Sequence, residues 1–167
     1  MSRGVSRLQE EYNKIKENDA LCQIGGTACP INKDFMHWKA SLKGPKNTPF
    51  EKGIFILEMK FSPNYPDESP LVQMRTPTFH PNINNHNGSI CVSYLTNWEK
   101  DYNINGILNA VFFLLAYPNF HNCYSFFNGI NERTYFEKAS KMTSKYAGEN
   151  QSYIWENSWD KGWSNDI

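Results

Sequence analysis

The sequence predicts an α+β domain in which an N-terminal helix precedes an antiparallel sheet, a long irregular segment and further helices. Three observations indicate this fold class. Apolar residues recur at helical spacing near the N-terminus, alternate with polar residues further on, and form a nearly continuous run at 104–117. A chain of 167 residues, 40% of them hydrophobic, is long enough to bury one core.

The first helix is indicated by a single apolar stripe. Val5, Leu8, Tyr12 and Ile15 follow one another at intervals of three or four residues, which places them on one face of a helix. The charged residues expected largely on its other faces are Arg3, Arg7, Glu11, Lys14 and Lys16. The segment 25–30, which contains two glycines and a proline, is expected to interrupt regular structure.

Period-two alternation then indicates a sheet. Trp38, Ala40 and Leu42 share one face of a half-buried strand, and polar residues occupy the other face. Short turns rich in glycine and proline separate the runs, which is typical of an antiparallel meander. Four strands are predicted, at about 21–24, 37–43, 54–61 and 71–76.

Residues 77–103 show neither periodicity. A structureless stretch of this length is uncommon in a compact domain and is usually functional. The run 104–117 that follows is apolar on most faces, so we expect a buried helix, which Pro118 ends. A further amphipathic helix is marked by Tyr135, Ala139, Met142 and Tyr146.

The C-terminal end differs in composition from the rest. We therefore divide the chain into a core domain at 1–148 and an extension at 149–167. Trp155, Trp159 and Trp163 recur every four residues in the extension and would share one side of a helix. Such a segment either packs its indoles on the domain or binds a partner.

Composition excludes several classes of function. Seventeen basic residues balance seventeen acidic ones, so no basic excess indicates nucleic acid as the main partner. The charged N-terminus does not resemble a signal peptide, and the longest apolar run is too short to cross a membrane. No two cysteines form a C-x-x-C pair, so we expect no metal site. A cytoplasmic or nuclear protein with reduced thiols is expected.

Cys91 is the leading candidate for chemistry. It follows the turn signal Asn87-Gly88 in a segment too polar to be plain core. A thiolate is a strong nucleophile, and sulfur is a good leaving group in acyl transfer. The other cysteines, Cys22, Cys29 and Cys123, are expected to be structural.

Several ordered motifs strengthen this interpretation. They are His80-Pro81-Asn82-Ile83, Gly88-Ser89-Ile90-Cys91, Trp98 and Pro118-Asn119, preceded by His37-Trp38, Gly44-Pro45 and Tyr65-Pro66. This series closely resembles the ubiquitin-conjugating enzyme family over roughly residues 3–147, and it implies that family's UBC-like fold. Ordered motifs at near-family spacing are far more specific than a single short pattern.

The resemblance implies roles for individual residues. Cys91 matches the cysteine that carries ubiquitin as a thioester, and His80 matches a histidine that acts as a structural brace. Asn82 matches an asparagine whose amide either braces a neighbouring loop or donates to the oxyanion formed when lysine attacks. Asn122 stands where many members have an acid, and an amide can orient an amine but cannot accept its proton.

The resemblance also implies partners. Ubiquitin or a ubiquitin-like protein arrives from an activating enzyme, which uses the ATP, so the chain itself is expected to need no cofactor. A RING- or HECT-type ligase then directs transfer to a substrate lysine. The matching docking positions are Arg7, Glu11, Asp67, Glu68, Lys100 and Asp101. Asp67 replaces an aromatic residue of many relatives, and Lys100-Asp101 replaces Pro-Ala, which predicts an atypical set of ligases.

Three alternatives stay open at this stage. The cargo is either ubiquitin or a relative such as SUMO, whose carrier is typically more basic than this chain. A catalytically inert variant would bind ubiquitin only, although such variants usually lack the cysteine. A cysteine hydrolase would pair Cys91 with His80, but His80 lies in a proline-restricted turn and the papain-type surroundings are missing.

Overall fold

The computed structural model describes residues 1–122 and 124–148 and has the α+β architecture that the sequence predicts. The elements, in chain order, are helix α1 (Arg3–Asn18), strands β1 (Thr27–Ile31), β2 (Asp34–Lys43), β3 (Ile54–Lys60) and β4 (Leu71–Met74), and helices α2 (Ser93–Thr96), α3 (Ile104–Ala116) and α4 (Glu132–Tyr146). The predicted extension at 149–167, with its three tryptophans, and Cys123 lie outside the described residues. Within the described ranges, no helix combines the length and the apolar character needed to cross a bilayer.

Helix α1 is fixed at its start and along one face. The hydroxyl of Ser2 accepts a hydrogen bond from the Val5 amide at 3.3 Å, which satisfies one of the free donors of the first turn. Leu8 is fully buried, and the Tyr12 ring meets the Trp38 ring edge-on at 5.7 Å. The helix therefore packs against β2 through the predicted stripe.

The sheet is the predicted antiparallel meander, with the strand order β1-β2-β3-β4. Trp38 on β2 lies opposite Met59 on β3, and Ala40 lies opposite Leu57. These side chains are almost completely buried, so the alternation along β2 correctly identified the core face.

The position of the first strand was predicted wrongly. Residues Cys22–Ile24 form a short 3₁₀ turn, and β1 occupies part of the segment that glycine and proline were expected to break. Gly25 adopts a left-handed φ of 57° that ends the turn. Pro30 is tolerated in β1 because this is an edge strand, where one missing N–H costs little. Pairing with β2 thus overrides the local signals.

Helix α3 is only partly buried, contrary to the expectation from its composition. Leu108, Val111 and Leu115 lie in the core, but Phe113 is 57% exposed and Tyr117, just after the helix, is 75% exposed. A helix that is apolar on most faces therefore leaves one aromatic edge open to solvent. The segment predicted to be structureless also contains one regular element, the short helix α2.

Helix α4 closes the domain. Tyr135 and Ala139 are buried, and the amide of Ile54 at the start of β3 donates to the Ala147 carbonyl at 2.8 Å. The Tyr135 ring also lies 6.5 Å from the Phe50 ring in the turn between β2 and β3. These contacts hold α4 against the sheet.

Candidate active site around Cys91

Cys91 is presented by a pair of extended segments joined by a tight turn. Ile83 and Ile90 form an isolated antiparallel bridge, and the Cys91 amide donates to the Asn82 carbonyl at 2.9 Å. Cys91 is half-buried, so part of the residue is open to solvent. The fold therefore fixes the backbone of the cysteine without enclosing the residue completely.

The turn before Cys91 is built by side chains of the asparagine-rich sequence. The Asn84 side-chain oxygen accepts hydrogen bonds from the amides of His86 at 2.8 Å and Asn87 at 3.2 Å. Gly88 follows with a φ of 72°, in the left-handed region that glycine adopts readily. The local sequence thus determines the conformation of the turn that leads to Cys91.

His80 is a buried structural residue in this fold. Its Nδ1 accepts a hydrogen bond from the Asn82 amide at 3.0 Å, so the proton lies on Nε2, which donates to the Leu114 carbonyl at 2.9 Å. Burial lowers the pKa of His80 to about 4. A neutral ring with both nitrogens engaged cannot serve Cys91 as a base without breaking these contacts.

Asn82 uses its entire side-chain amide to hold the loop after α3. Its nitrogen donates to the carbonyls of Asn119 at 2.9 Å and Asn122 at 2.8 Å, and its oxygen accepts from the Asn119 amide at 2.8 Å. The residue is 1% exposed. Both N–H groups are therefore engaged, which leaves neither to stabilise an oxyanion in this arrangement.

Asn122 lies in the loop that Asn82 holds, and its contacts run through the backbone. Its amide donates to the side-chain oxygen of Asn119 at 3.3 Å, and its carbonyl receives the Asn82 bond. Asn122 is exposed, as are His121 and His86. Asn82 thus connects the loop that contains Asn122 to the segment that carries Cys91.

Tyr124 is a neighbour of Cys91 that the sequence did not reveal. Its hydroxyl donates to the Ser89 carbonyl at 3.4 Å, and its amide donates to the Pro81 carbonyl at 2.9 Å. Partial burial raises the pKa of the Tyr124 phenol, and the charge of the nearby Cys91 thiolate raises it further. No motif marked this tyrosine, because only the fold of the loop brings it to position 91.

A cluster of aromatic side chains lies between Cys91 and the start of α3. Tyr94 stacks on Tyr102 with ring centroids 4.0 Å apart, and Trp98 meets both rings nearly edge-on. A Cβ at Gly106 would lie 1.8 Å from the Tyr94 hydroxyl, so a side chain at position 106 would displace the Tyr94 ring. The four-residue spacing of Tyr94, Trp98 and Tyr102 is a signal in the sequence that was missed.

A groove of about 470 Å³ is lined by Val92, the residue after Cys91, and by residues of α3 and its C-terminal end. Its lining is mostly aromatic or aliphatic and consists of Val92, Ser93, Tyr94, Asn97, Tyr102, Ala110, Phe113, Leu114 and Tyr117. The exposed faces of Phe113 and Tyr117 belong to this groove. An apolar surface of this kind is suited to contact with another protein.

The segments expected to dock a ligase form one surface. Arg3 on α1 pairs with Asp67 at 3.0 Å, the Trp98 indole donates to the Pro66 carbonyl at 2.8 Å, and Arg7 donates to the Tyr102 carbonyl at 3.2 Å. The exposed residues of this surface include Asp67, Glu68, Lys100 and Asp101. These three contacts join the segments into one continuous surface.

Glu11 requires a correction, because it was expected on an outer face of α1 as a docking residue. It is 6% exposed and accepts hydrogen bonds from the Tyr65 hydroxyl at 2.6 Å, from Arg7 at 2.9 Å and from the Ile104 amide at 2.8 Å. Burial, followed by the neighbouring Glu11 carboxylate, raises the pKa of Tyr65. The carboxylate joins three segments inside the fold and is not available to a partner.

Comparison with known proteins agrees with this geometry. The ubiquitin-conjugating enzyme family matches residues 7–143. A crystal structure of a Plasmodium yoelii protein assigned as a ubiquitin-conjugating enzyme is similar, with a TM-score of 0.78 and 27% identity over 89% of this chain and 97% of that one. The E2 domain of a Toxoplasma gondii ubiquitin-conjugating enzyme gives a TM-score of 0.75 and 27% identity over 85% and 97%.

The fold is thus that of an E2, the conjugating class of protein in ubiquitin transfer, and the chain belongs to the ubiquitin-conjugating enzyme family. Members of this class work in general with ubiquitin, an activating enzyme and a ligase. The match includes the His80–Cys91 segment, Trp98 and the Pro118-Asn119 end of α3.

Proposed function

We propose that this chain accepts ubiquitin, or a related modifier, from an activating enzyme as a thioester on the Cys91 sulfur and passes it to a substrate lysine. The observation that carries this proposal is the partly exposed Cys91, whose amide is bonded to Asn82, while the side chains of Asn82 and His80 are both committed to structure. A site of this kind favours transfer over hydrolysis, because neither residue is placed to activate water.

The loading step is an exchange of thioesters. The Cys91 thiol loses its proton, and the thiolate attacks the C-terminal carbonyl carbon of the modifier held on the activating enzyme. A new C–S bond forms, the old C–S bond breaks, and the activating enzyme recovers its thiol by taking up a proton. ATP is consumed earlier by the activating enzyme, so the step requires no cofactor on this chain.

The geometry disfavours a cysteine hydrolase. Such an enzyme needs a histidine that hydrogen-bonds the nucleophile, whereas His80 binds the Asn82 amide and the Leu114 carbonyl. Burial also holds its pKa at about 4, too low for a base working near neutrality. An inert binding variant is disfavoured by the partly exposed Cys91.

The groove beside Cys91 supports a protein cargo. Val92, the residue after Cys91, lines the groove together with Phe113 and Tyr117, and we infer that a protein attached to the Cys91 sulfur covers these rings. Covering these rings would remove apolar surface from water and favour one orientation of the cargo. Residues 1–148 would form the catalytic unit, acting in the cytoplasm or nucleus where thiols are reduced.

We further propose that a RING- or HECT-type ligase binds the surface formed by α1, the 62–68 turn and the 98–102 segment. Asp67 lies there in an exposed ion pair with Arg3, and Lys100 and Asp101 are exposed nearby in sequence. A charged side chain fits poorly into an apolar pocket because its desolvation is costly. We therefore expect a ligase whose contact surface is polar.

The decisive experiment is loading in vitro. The chain is incubated with ATP, an activating enzyme and ubiquitin, and the products are separated on a non-reducing gel. A band shift that a thiol reagent removes is expected for the natural chain. With Cys91→Ser the band should persist after reduction, because serine forms an oxyester.

Replacing ubiquitin and its activating enzyme by those of another modifier identifies the cargo. Loading with a single modifier would assign it, and absence of loading with every modifier would overturn the proposal in favour of an inert variant. Cleavage of ubiquitin precursors by the chain alone would favour the hydrolase.

A further inference from the structure

Tyr124 lies at the mouth of the candidate site on a segment attached to it from two sides. Its amide donates to the Pro81 carbonyl at 2.9 Å, and its hydroxyl donates to the Ser89 carbonyl at 3.4 Å. Ser89 and Cys91 are two residues apart, and the Cys91 amide is itself bonded to Asn82. The phenol therefore spans from the loop after α3 to the strand-like segment that carries the thiol.

The same loop is held by Asn82, which makes the position of Tyr124 well defined. Three hydrogen bonds join the Asn82 side chain to Asn119 and to Asn122, which is two residues before Tyr124. The Tyr124 ring also lies nearly parallel to the Phe126 ring, with centroids 6.3 Å apart. Backbone and ring contacts together keep the phenol beside Cys91.

The hydrogen bond to the Ser89 carbonyl places the phenol near the segment that carries Cys91, and the electrostatics agree with this placement. The Cys91 thiolate contributes to raising the pKa of the Tyr124 phenol, so the phenol is neutral near pH 7. A neutral phenol presents an aromatic face and an oxygen with free lone pairs. Its hydroxyl proton points to Ser89, which leaves the oxygen able to accept a hydrogen bond from outside.

An attacking lysine needs both an apolar neighbour and a hydrogen-bond acceptor. A free lysine is almost entirely protonated near pH 7, and an apolar neighbour favours its neutral form. Asn122 offers an amide where a carboxylate is common in relatives, and Asn82 is engaged in the loop. Tyr124 supplies an aromatic surface and an acceptor on the same side chain.

We propose that Tyr124 positions the lysine that attacks the Cys91 thioester. This inference rests on the proposed function. The ring excludes water from the lysine stem, and the phenolic oxygen accepts one amine N–H. The amine nitrogen then attacks the thioester carbonyl carbon, the C–N bond forms, the C–S bond breaks, and the Cys91 thiolate leaves while the surplus amine proton passes to solvent.

The test compares two nucleophiles on the preloaded chain. Single-turnover discharge is measured with free lysine and with hydroxylamine, a small amine that is neutral at the assay pH and needs no apolar surface. Tyr124→Ala is expected to slow the lysine reaction about tenfold and the hydroxylamine reaction less than about twofold. Tyr124→Phe, which keeps the ring and removes the acceptor, is expected to slow the lysine reaction about threefold.

Phe136→Ala is the matched control, because Phe136 is a 51% exposed aromatic residue on α4. Its rates should equal those of the natural chain. Equal losses with both nucleophiles would show that Tyr124 only supports the loop, and unchanged lysine rates would show that it has no role. Either result overturns this inference while loading of Cys91 still supports the proposed function. A natural chain that never loads overturns both.

Discussion

The two sides of the candidate site use similar residue types in opposite ways. On the inner side, His80 and Asn82 are nearly inaccessible, and their side chains are fully engaged in hydrogen bonds to backbone groups. On the outer side, Cys91 is half-buried and Asn122 is exposed. The contrast teaches that His80 and Asn82 hold the surrounding backbone in place, which leaves Cys91 as the candidate for chemistry.

The largest expected effect separates reactive from structural cysteines. Cys91→Ala should abolish thioester formation and change the free energy of unfolding by less than about 1 kcal/mol, because the side chain is half-buried. Cys29→Ala, at another half-buried cysteine, is the matched control and should load normally. Loading and denaturant unfolding measure the two quantities. A loaded Cys91→Ala chain would contradict the assignment of the sulfur.

Asn82→Ala tests the inner side directly. The substitution leaves one amide and two carbonyls of the 119–122 loop without their partner, so unfolding should become easier by about 2–4 kcal/mol. Asn122→Ala makes the same chemical change on an exposed side chain and should cost less than about 0.5 kcal/mol. Denaturant unfolding measures both. Equal stability of the two variants would show that the buried Asn82 side chain supports the fold no more than the exposed Asn122 side chain does.

The pH dependence of stability tests whether His80, like Asn82, is a buried structural residue. Burial lowers its pKa in the folded chain to about 4, from an ordinary value of 6.5. Between these values the unfolded chain binds more protons, so stability is full above pH 6.5 and falls as pH decreases towards 4. The expected total loss from this residue is about 3 kcal/mol.

Titration of the histidine ring signals by nuclear magnetic resonance measures this pKa directly. A His80 ring that titrates near 6.5 would show that the interior of the site is open to water.

The smallest effect is expected at the surface that we propose as the ligase-binding site. The side chains of Arg3 and Asp67 are 70% and 56% exposed, and their ion pair is open to solvent. Arg3→Ala should therefore lower stability by about 0.5 kcal/mol or less, and added salt should abolish the difference. Thermal unfolding at two salt concentrations measures it. A loss above about 1 kcal/mol would show that Arg3 makes further contacts.

Much of the fold could be predicted, because periodic patterns of apolar residues can be recognised without knowledge of tertiary contacts. Alternation around Trp38 gave the core face of β2, and the stripe around Leu8 gave the buried side of α1. The first strand could not be located, because its pairing with β2 outweighs the glycines and proline that precede or occupy it. Pairing with a neighbouring strand therefore outweighs the local conformational preference of these residues.

The site was predictable to a different extent. Cys91 stood out by its polar surroundings and motif, and its partial exposure is visible in the structure. Tyr124 and the inward direction of Glu11 were not predictable, since both depend on contacts between segments far apart in the sequence. A helical stripe cannot show that a carboxylate on its border finds three hydrogen-bond donors.

The buried carboxylate of Glu11 has a consequence for communication across the domain. It receives donors from α1, from Tyr65 beside the 62–68 turn and from Ile104, the first residue of α3. The far end of the same helix provides the Leu114 carbonyl that fixes His80. A ligase bound to α1, as proposed above, would therefore lie against one end of a helix whose other end is hydrogen-bonded to His80.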